Sequence, residues 1–260
     1  MKKNNKKEQR VSEEKLNNQG CLMKIVEYKN ASNIIVEFQD KYKAKVHTGY
    51  NGFKNGSVRN PYVPSVYEVG MTGNKYPIKT KGKQSKEYAI WCSMLKRCFD
   101  LKYKIKHSTY KGVICCKEWL LYENFYEWLH GQDNFNKWLN GFNWNLDKDI
   151  LIKGNKIYSP ETCCLVPVNV NNLFTKSNKI RGDLPIGVTK DKYGFQAKCN
   201  NPITNKRIAK WCSTLEEAFQ VYKTAKENVI KQVAQDEYDK GNITRPCYEA
   251  MMNYEVEITD

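Results

Sequence analysis

The stretch that decides the fold is WNLDKDILIKGNKIYSPETCCLVPVNVNNLF, residues 144–174. Residues 145–152 place apolar side chains among charged ones. Residues 157–166 return as a second extended run after a Lys-Gly-Asn-Lys segment, which is typical of a turn between strands. Pro167 stands where the first turn of a helix accepts a proline, and residues 168–174 continue with helical spacing. The stretch therefore predicts a β-β-α unit that can hold a divalent metal ion between its first strand and its helix.

Three further motifs precede this unit. They are WCSMLKRC (residues 91–98), YKGVICCKEW (residues 110–119) and YENFYEWL (residues 122–129). Together with LDKDI, NKIYSPETC and the Asn pair of the helix, they resemble, in the same order, the HNH endonuclease-like proteins of phages and mobile elements. The resemblance covers roughly residues 85–178. It implies a DNA-binding protein on a metal-nuclease scaffold, and it does not by itself imply cleavage.

The candidate site departs from that family at the general base. The family carries a histidine on the first strand, whereas this chain has Asp147 followed by Lys148. The three histidines of the chain lie elsewhere, at His47, His107 and His130. The resemblance implies Asp147 and Asn171 as ligands of Mg²⁺ or another divalent cation, with Lys148 and Asp149 as candidate catalytic residues. A lysine acts as a base near neutral pH only when its pKa is lowered by several units.

The composition favours a polyanionic partner. The 260 residues contain 43 Lys and Arg against 28 Asp and Glu, which gives a formal net charge of +15 and an isoelectric point near 9.2. Such a surplus suits double-stranded DNA, and phosphate contacts make binding strongly salt-dependent. An AT-rich genome also raises the content of Lys, Asn and Ile, so an ordinary solvated surface is the alternative interpretation.

The expected compartment is the cytoplasm, of the host cell if the protein is phage-encoded. The sequence shows neither a run of about 18 apolar residues nor the apolar core of a signal peptide, so we expect no membrane partner. Ten cysteines in a cytoplasmic chain favour thiols over disulfides. Zinc is not expected, because no Cys-x-x-Cys pair occurs.

The chain is predicted to be an α+β protein of three small modules with a tail at each end. The predicted boundaries are 1–19 for a mobile polar tail, 20–78 for an N-terminal β-rich module, 79–180 for the HNH-like domain, 181–240 for a sheet-plus-helix module and 241–260 for an acidic tail. Within the HNH-like domain, Trp91, Met94, Leu95 and Cys98 follow helical spacing and predict one buried helix face.

Residues 186–235 predict three short strands followed by one helix. The predicted strands are residues 186–189, 195–199 and 206–211. Ser213 or Thr214 is the expected helix cap. The segment resembles the Apetala/ethylene-response-factor type of DNA-binding domain through IGVTKDKYGFQAKC, KRIAKW and TLEEAFQVYKTA. That resemblance implies a sheet laid in the major groove of DNA. Phe195 is expected to be a core residue.

Candidate DNA contacts come from both resemblances. Lys96 and Arg97 form a basic shoulder on the first helix, suited to phosphate groups. The other candidates follow the β-β-α unit or lie in the C-terminal module: Lys176, Lys179, Arg181, Lys190, Lys192, Lys198, Lys206, Arg207 and Lys210.

Hypotheses of different classes remain open at this point. The first is a phage or mobile-element endonuclease that nicks or cuts DNA by metal-assisted hydrolysis. The second is a non-catalytic DNA-binding regulator or accessory factor on a decayed nuclease scaffold. The third is an inhibitor of a host enzyme, which would add a protein partner. A plasmid nicking assay with Mg²⁺ or Mn²⁺ separates the first hypothesis from the other two.

Overall fold

The computed structural model describes residues 9–141, 143–176 and 182–260, and its secondary structure is mixed α+β, which confirms the predicted class. Contacts divide the chain into two compact units. The first consists of Met1–Thr109 with Cys116–Glu127, and the second of Tyr110–Cys115 with Trp128–Asp260. Across the described ranges, no helix combines the length and the apolar character that crossing a bilayer requires.

The first unit begins with a four-stranded antiparallel sheet in chain order. Its strands are β1 (Glu14–Leu16), β2 (Leu22–Asn30), β3 (Asn33–Phe38) and β4 (Lys45–Thr48), and helix α1 (Tyr50–Lys54) follows. The alternating residues Met23, Ile25, Ile34, Val36 and Phe38 are fully buried. The prediction of a mobile polar tail over 1–19 is wrong for Glu14–Leu16, which form a strand paired with β2. Strand pairing uses backbone hydrogen bonds, so it does not require the apolar face that this segment lacks. Residues 1–8 of that tail lie outside the described residues.

The first unit continues through the hairpin β5 (Lys79–Thr80) and β6 (Lys83–Gln84) to helix α2 (Lys86–Phe99) and the short helix α3 (Leu101–Lys106). The Ser85 hydroxyl accepts a hydrogen bond from the Tyr88 amide and caps α2. The buried residues of α2 are the predicted set: Trp91, Met94, Leu95 and Cys98. The helical spacing of the WCSMLKRC motif therefore gave the correct core face.

A buried carboxylate organises the loop that precedes this hairpin. Glu123 lies on helix α4 (Tyr122–His130), and its Oε1 accepts hydrogen bonds from the amides of Asn74 (2.8 Å) and Lys75 (2.7 Å). The Tyr62 hydroxyl donates to the same carboxylate at 3.1 Å. Gly73 has a φ of +64°, and a Cβ there would overlap the Glu123 side chain, so this position requires glycine.

The second unit contains the predicted β-β-α arrangement with altered strand boundaries. Strand β8 (Trp144–Asp147) pairs antiparallel with β10 (Cys164–Pro167), and helix α6 (Val168–Leu173) follows directly. The predicted strands 145–152 and 157–166 are therefore wrong in extent, because the chain turns after β8. Two short strands, β7 (Ile114–Cys115) and β9 (Ile157–Tyr158), pair parallel to each other. Helix α5 (Phe135–Asn140) precedes β8.

The C-terminal module has the predicted three strands and one helix. Strands β11 (Val188–Asp191), β12 (Gly194–Asn201) and β13 (Lys206–Cys212) form an antiparallel sheet in that order. Helix α7 (Leu215–Asp239) packs on one face of the sheet, and the Thr214 hydroxyl accepts a hydrogen bond from the Glu217 amide at its start. Thr214 is thus the cap, one of the two residues expected.

Residues 241–260, predicted as an acidic tail, form helix α8 (Arg245–Met252) and a packed segment after it. Ile243, Cys247, Met251 and Val256 are buried in the same core as α7. Cys247 and Met251, four residues apart, form the buried face of α8, while Ile243 precedes the helix and Val256 follows it. The β-β-α unit shares this core, since Ile150, Val166, Val170 and Leu173 pack within the same cluster as Phe219 and Tyr222.

We predict that Glu123→Ala lowers the free energy of unfolding by about 2 to 4 kcal/mol, because two backbone amides and one hydroxyl lose their acceptor in a buried place. Urea unfolding followed by circular dichroism measures the change. Glu127→Ala is the matched control, since Glu127 lies one turn later and pairs with Lys75 at the surface. An equal loss in both variants would contradict a special role for the buried carboxylate.

Candidate nucleic-acid interface

The strand pairing defines which side chains of the C-terminal sheet face away from α7. On β12, Ala197 and Cys199 are buried toward the helix, so Gln196, Lys198 and Asn200 lie on the opposite face. We call this outer surface the open face. Residues on the same face in the paired strands complete it, and its members are Thr189, Gln196, Lys198, Asn200, Arg207, Ala209 and Trp211.

The open face combines cationic, amide and aromatic groups. Lys198 and Arg207 contribute two positive charges, and among the described residues neither makes an ion pair. Trp211 is 45% exposed, and Tyr193, in the hairpin beside it, is 72% exposed with its ring in edge contact at 6.1 Å. Asp191, at the end of β11, accepts a hydrogen bond from the Tyr193 amide at 2.7 Å, which stabilises the turn between β11 and β12. The two rings in contact form one small exposed apolar patch, and contiguous patches, unlike single exposed residues, can mark interaction sites.

The other candidate lysines of the sheet lie on the side of α7 or in the turn. Lys190 places its Nζ 5.1 Å from the centre of the Phe195 ring, and Phe195 packs against the core as expected. Lys206 and Lys210 share the helix side of β13, and both are exposed. Lys192 lies in the hairpin turn, with its Nζ over the Tyr193 ring. The strand pairing therefore divides the predicted basic residues between two faces.

The aromatic and amide members of the open face are absent from the predicted DNA contacts. The sequence pattern gives Trp211 only as the end of a strand, and Gln196 and Asn200 are not among the candidates. The signal was available, because side chains alternate along a strand. Once Ala197 and Cys199 are taken as the inner face of β12, residues 196, 198 and 200 must point outward, and strand pairing adds Trp211.

The remaining candidate DNA contacts lie in other places. Lys96 is exposed on α2 with its Nζ 5.0 Å from the Tyr103 ring, and Arg97 beside it is half-buried. Both belong to the first unit. Lys176 is exposed after α6, and its Nζ contacts an oxygen of Asp260 at 2.9 Å. Lys179 and Arg181 lie outside the described residues.

The end of β8 holds the candidate catalytic and metal-binding residues. Asp147 Oδ1 accepts hydrogen bonds from the amides of Asp149 and Ile150, both at 2.8 Å. Lys148 is buried, and its Nζ contacts Asp149 Oδ2 at 3.2 Å. Burial and the charge of nearby Asp149 raise the pKa of Asp147 to about 6, despite the two amides, which favour the ionised form. The structure thus brings Asp147, Lys148 and Asp149 together in one turn.

Asn171 lies on α6, where Val170 and Leu173 face the core. Within the described part of the chain, its amide makes no hydrogen bond to Asp147. Two nearby carboxylates are the kind of ligand that Mg²⁺ prefers. One of them is already paired with Lys148, and the described residues include no group of three or more His, Cys, Asp or Glu side chains placed to hold a metal ion. The Asn171 amide is not among those residue types, so the expectation of Mg²⁺ between Asp147 and Asn171 stays a prediction.

Comparisons of this chain with protein-family models, curated proteins and solved structures found no match. The two resemblances therefore depend on the sequence motifs alone.

We predict that Asp147→Asn stabilises the protein at pH 7.5 and has little effect at pH 4. The pKa of Asp147 is raised in the folded state, so the protonated form stabilises the fold, and this contribution is lost as the pH rises through about 6. Asparagine does not ionise and keeps an oxygen for the two amides. The expected gain at pH 7.5 is on the order of 2 to 3 kcal/mol, because the pKa is raised from 3.8 to about 6.

Urea unfolding at both pH values measures this effect. Asp183→Asn, at an exposed carboxylate, is the control and should change stability equally little at both. A gain from Asp147→Asn that is the same at pH 4 and pH 7.5 would show that titration of Asp147 is not its cause.

Proposed function

We propose that the protein binds double-stranded DNA through the open face of its C-terminal sheet. The observation that carries the proposal is the composition of this face. Lys198 and Arg207 lie on it beside the amides of Gln196 and Asn200 and the exposed ring of Trp211. Arginine and lysine bind phosphates and guanine, and amide side chains bind adenine, so these residue types suit DNA.

The geometry of the sheet supports a groove-binding mode. The major groove of B-DNA is wide enough to admit strands, and the α7 side of this sheet is occupied by its own helix. The free side is therefore the side that can approach a duplex. The net charge of +15 adds long-range attraction to any polyanion. The resemblance to the Apetala/ethylene-response-factor domains points to the same surface.

The proposal covers binding and does not extend to cleavage. The HNH-like motifs favour a protein of phages or mobile elements that acts on DNA. The observations that carry the proposal lie on the open face and not in the turn at Asp147, so a non-catalytic regulator or accessory factor is the role proposed. The nicking endonuclease remains the alternative, and conversion of supercoiled plasmid to the nicked form with Mg²⁺ or Mn²⁺ would favour it.

The sheet offers a matched pair of double substitutions. We predict that Lys198→Ala with Arg207→Ala weakens duplex binding about 10-fold to 100-fold at 0.1 M salt, and lowers the slope of log affinity against log salt by about 2. Lys206→Ala with Lys210→Ala removes the same charge from the same sheet, but on the α7 side, and should weaken binding by less than about 3-fold. Fluorescence anisotropy with a labelled duplex of roughly two helical turns (about 25 base pairs) measures the affinity and the salt slope of both double variants.

Equal losses in the two double variants would contradict the open face as the binding surface and leave only general electrostatic attraction. Failure of the wild-type protein to bind any duplex at low salt would contradict DNA binding itself.

The neutral aromatic residue of the open face gives an independent test. We predict that Trp211→Ala weakens duplex binding about 3-fold to 30-fold and leaves the salt slope unchanged, because it removes apolar contact but no charge. Anisotropy titrations at three salt concentrations measure the affinity and the slope together. A change in slope as large as that of the Lys198 and Arg207 double variant would show that the substitution disturbs the sheet instead.

A further inference from the structure

The carboxylate of Asp260 is held between two lysines. Lys153 Nζ contacts its Oδ2 at 2.9 Å, and Lys176 Nζ contacts its Oδ1 at 2.9 Å. The Glu257 amide donates a third hydrogen bond to Oδ2 at 3.0 Å. Asp260 is only 4% exposed, whereas acidic side chains are rarely buried without partners. Two ammonium groups and one backbone amide therefore hold the Asp260 carboxylate in place.

The segment that carries Asp260 is anchored along its length. We call Tyr254–Asp260 the strap. Lys153 Nζ also contacts the Glu255 carbonyl at 2.9 Å and the Glu257 carboxylate at 3.1 Å. On α7, Lys223 donates to the Val256 carbonyl and Glu227 accepts the Val256 amide. Hydrogen bonds and ion pairs therefore fix the position of the strap within the second unit.

The strap lies at the β-β-α unit. Lys153 belongs to the loop that follows β8, and Lys176 lies three residues beyond the end of α6. Lys153 Nζ lies 5.1 Å from the centre of the Tyr254 ring, so the start of the strap is beside the loop that follows β8. Both lysines therefore lie within the part of the chain whose motifs resemble a DNA-processing site.

The chemistry of this site suits a phosphate group. Two ammonium groups on the two oxygens of one carboxylate can equally hold two oxygens of a phosphodiester through charge-assisted hydrogen bonds. A carboxylate and a phosphodiester each carry one negative charge. While Asp260 is seated, its single negative charge offsets one of the two positive charges, and the Glu257 carboxylate, 3.1 Å from Lys153 Nζ, offsets the other. Glu255 adds a further negative charge that repels a polyanion.

We propose that Lys153 and Lys176 form a phosphate-binding pair that Asp260 occupies in the free protein and that a backbone phosphate of duplex DNA takes over. The strap is then an autoinhibitory competitor of DNA. This inference rests on the proposed function, because duplex DNA is the displacing anion. It adds a second contact surface, on the β-β-α unit, to the open face of the sheet.

Asp260→Asn tests the competition with little change of shape. It should raise duplex affinity about 3-fold to 10-fold and make the salt slope steeper by about 1 to 2, because the two lysines become available for phosphate. Glu255→Gln is the matched control. It removes the same charge from the same strap, but the Glu255 side chain is exposed and only its backbone carbonyl contacts Lys153, so affinity should change less than about 2-fold.

A double-mutant cycle locates the effect. In a background of Lys153→Gln with Lys176→Gln, Asp260→Asn should no longer raise the affinity, because its partners are gone. Unchanged gain in that background would show that Asp260 acts through general charge and would overturn the phosphate pair. Circular dichroism of each variant checks that the fold is retained.

A measurement on the wild-type protein requires no substitution. Hydrogen exchange of the strap amides should be slow in the free protein, since the amides of Val256, Glu257 and Asp260 are hydrogen-bonded, and should become faster at saturating duplex DNA. Tight duplex binding with continued protection of the strap would overturn the inference and leave the proposed function standing. Absence of duplex binding in the wild type, Asp260→Asn and Glu255→Gln alike would overturn the proposed function.

Discussion

The apolar stripe of α7 is the element on which the second unit depends. A β-β-α unit of about thirty residues cannot bury enough apolar surface to be stable alone. Here Val170 and Leu173 of that unit pack in the core that includes Tyr222 of α7, together with Met251 of α8. Each such side chain contributes roughly 1.5 to 3 kcal/mol when fully buried. Because α7 occupies the inner face of the sheet, the other face is the one exposed to solvent.

Local patterns were sufficient to predict the three strands and the helix cap of the C-terminal module, and they failed where contacts are distant in sequence. The cap at Thr214 and the three strands followed from alternation and turn residues. The parallel pairing of β7 with β9 joins segments more than forty residues apart, and no local pattern reports it. Helix α8 was missed for a different reason. The acidic residues of this segment predict a solvated tail, whereas Ile243, Cys247 and Met251 recur every four residues and are buried.

For the candidate sites, the sequence predicts residue types, whereas the contacts of each side chain depend on the fold. Asp147 is predicted to hold a metal ion, and in the structure its Oδ1 accepts hydrogen bonds from the amides of Asp149 and Ile150 at the end of the strand. Aspartate commonly forms this kind of turn with backbone two or three residues ahead. On the sheet, the sequence identifies the basic residues but not the face of the sheet on which each one lies. That face depends on which neighbouring side chains are buried. Strand pairing then selects Lys198 and Arg207 from the larger set.

The positive charges of the second unit are of two kinds: some are solvated and others are paired with carboxylates. Lys198 and Arg207 lie on a solvated face without acidic partners among the described residues, so they attract a polyanion from a distance. Lys153 and Lys176 already pair with the carboxylates of the nearly buried Asp260 and of Glu257. Solvated charges are screened by salt more than buried pairs are. A duplex would therefore meet the open face first, and contact with the second pair would follow only when its phosphates replace the carboxylate.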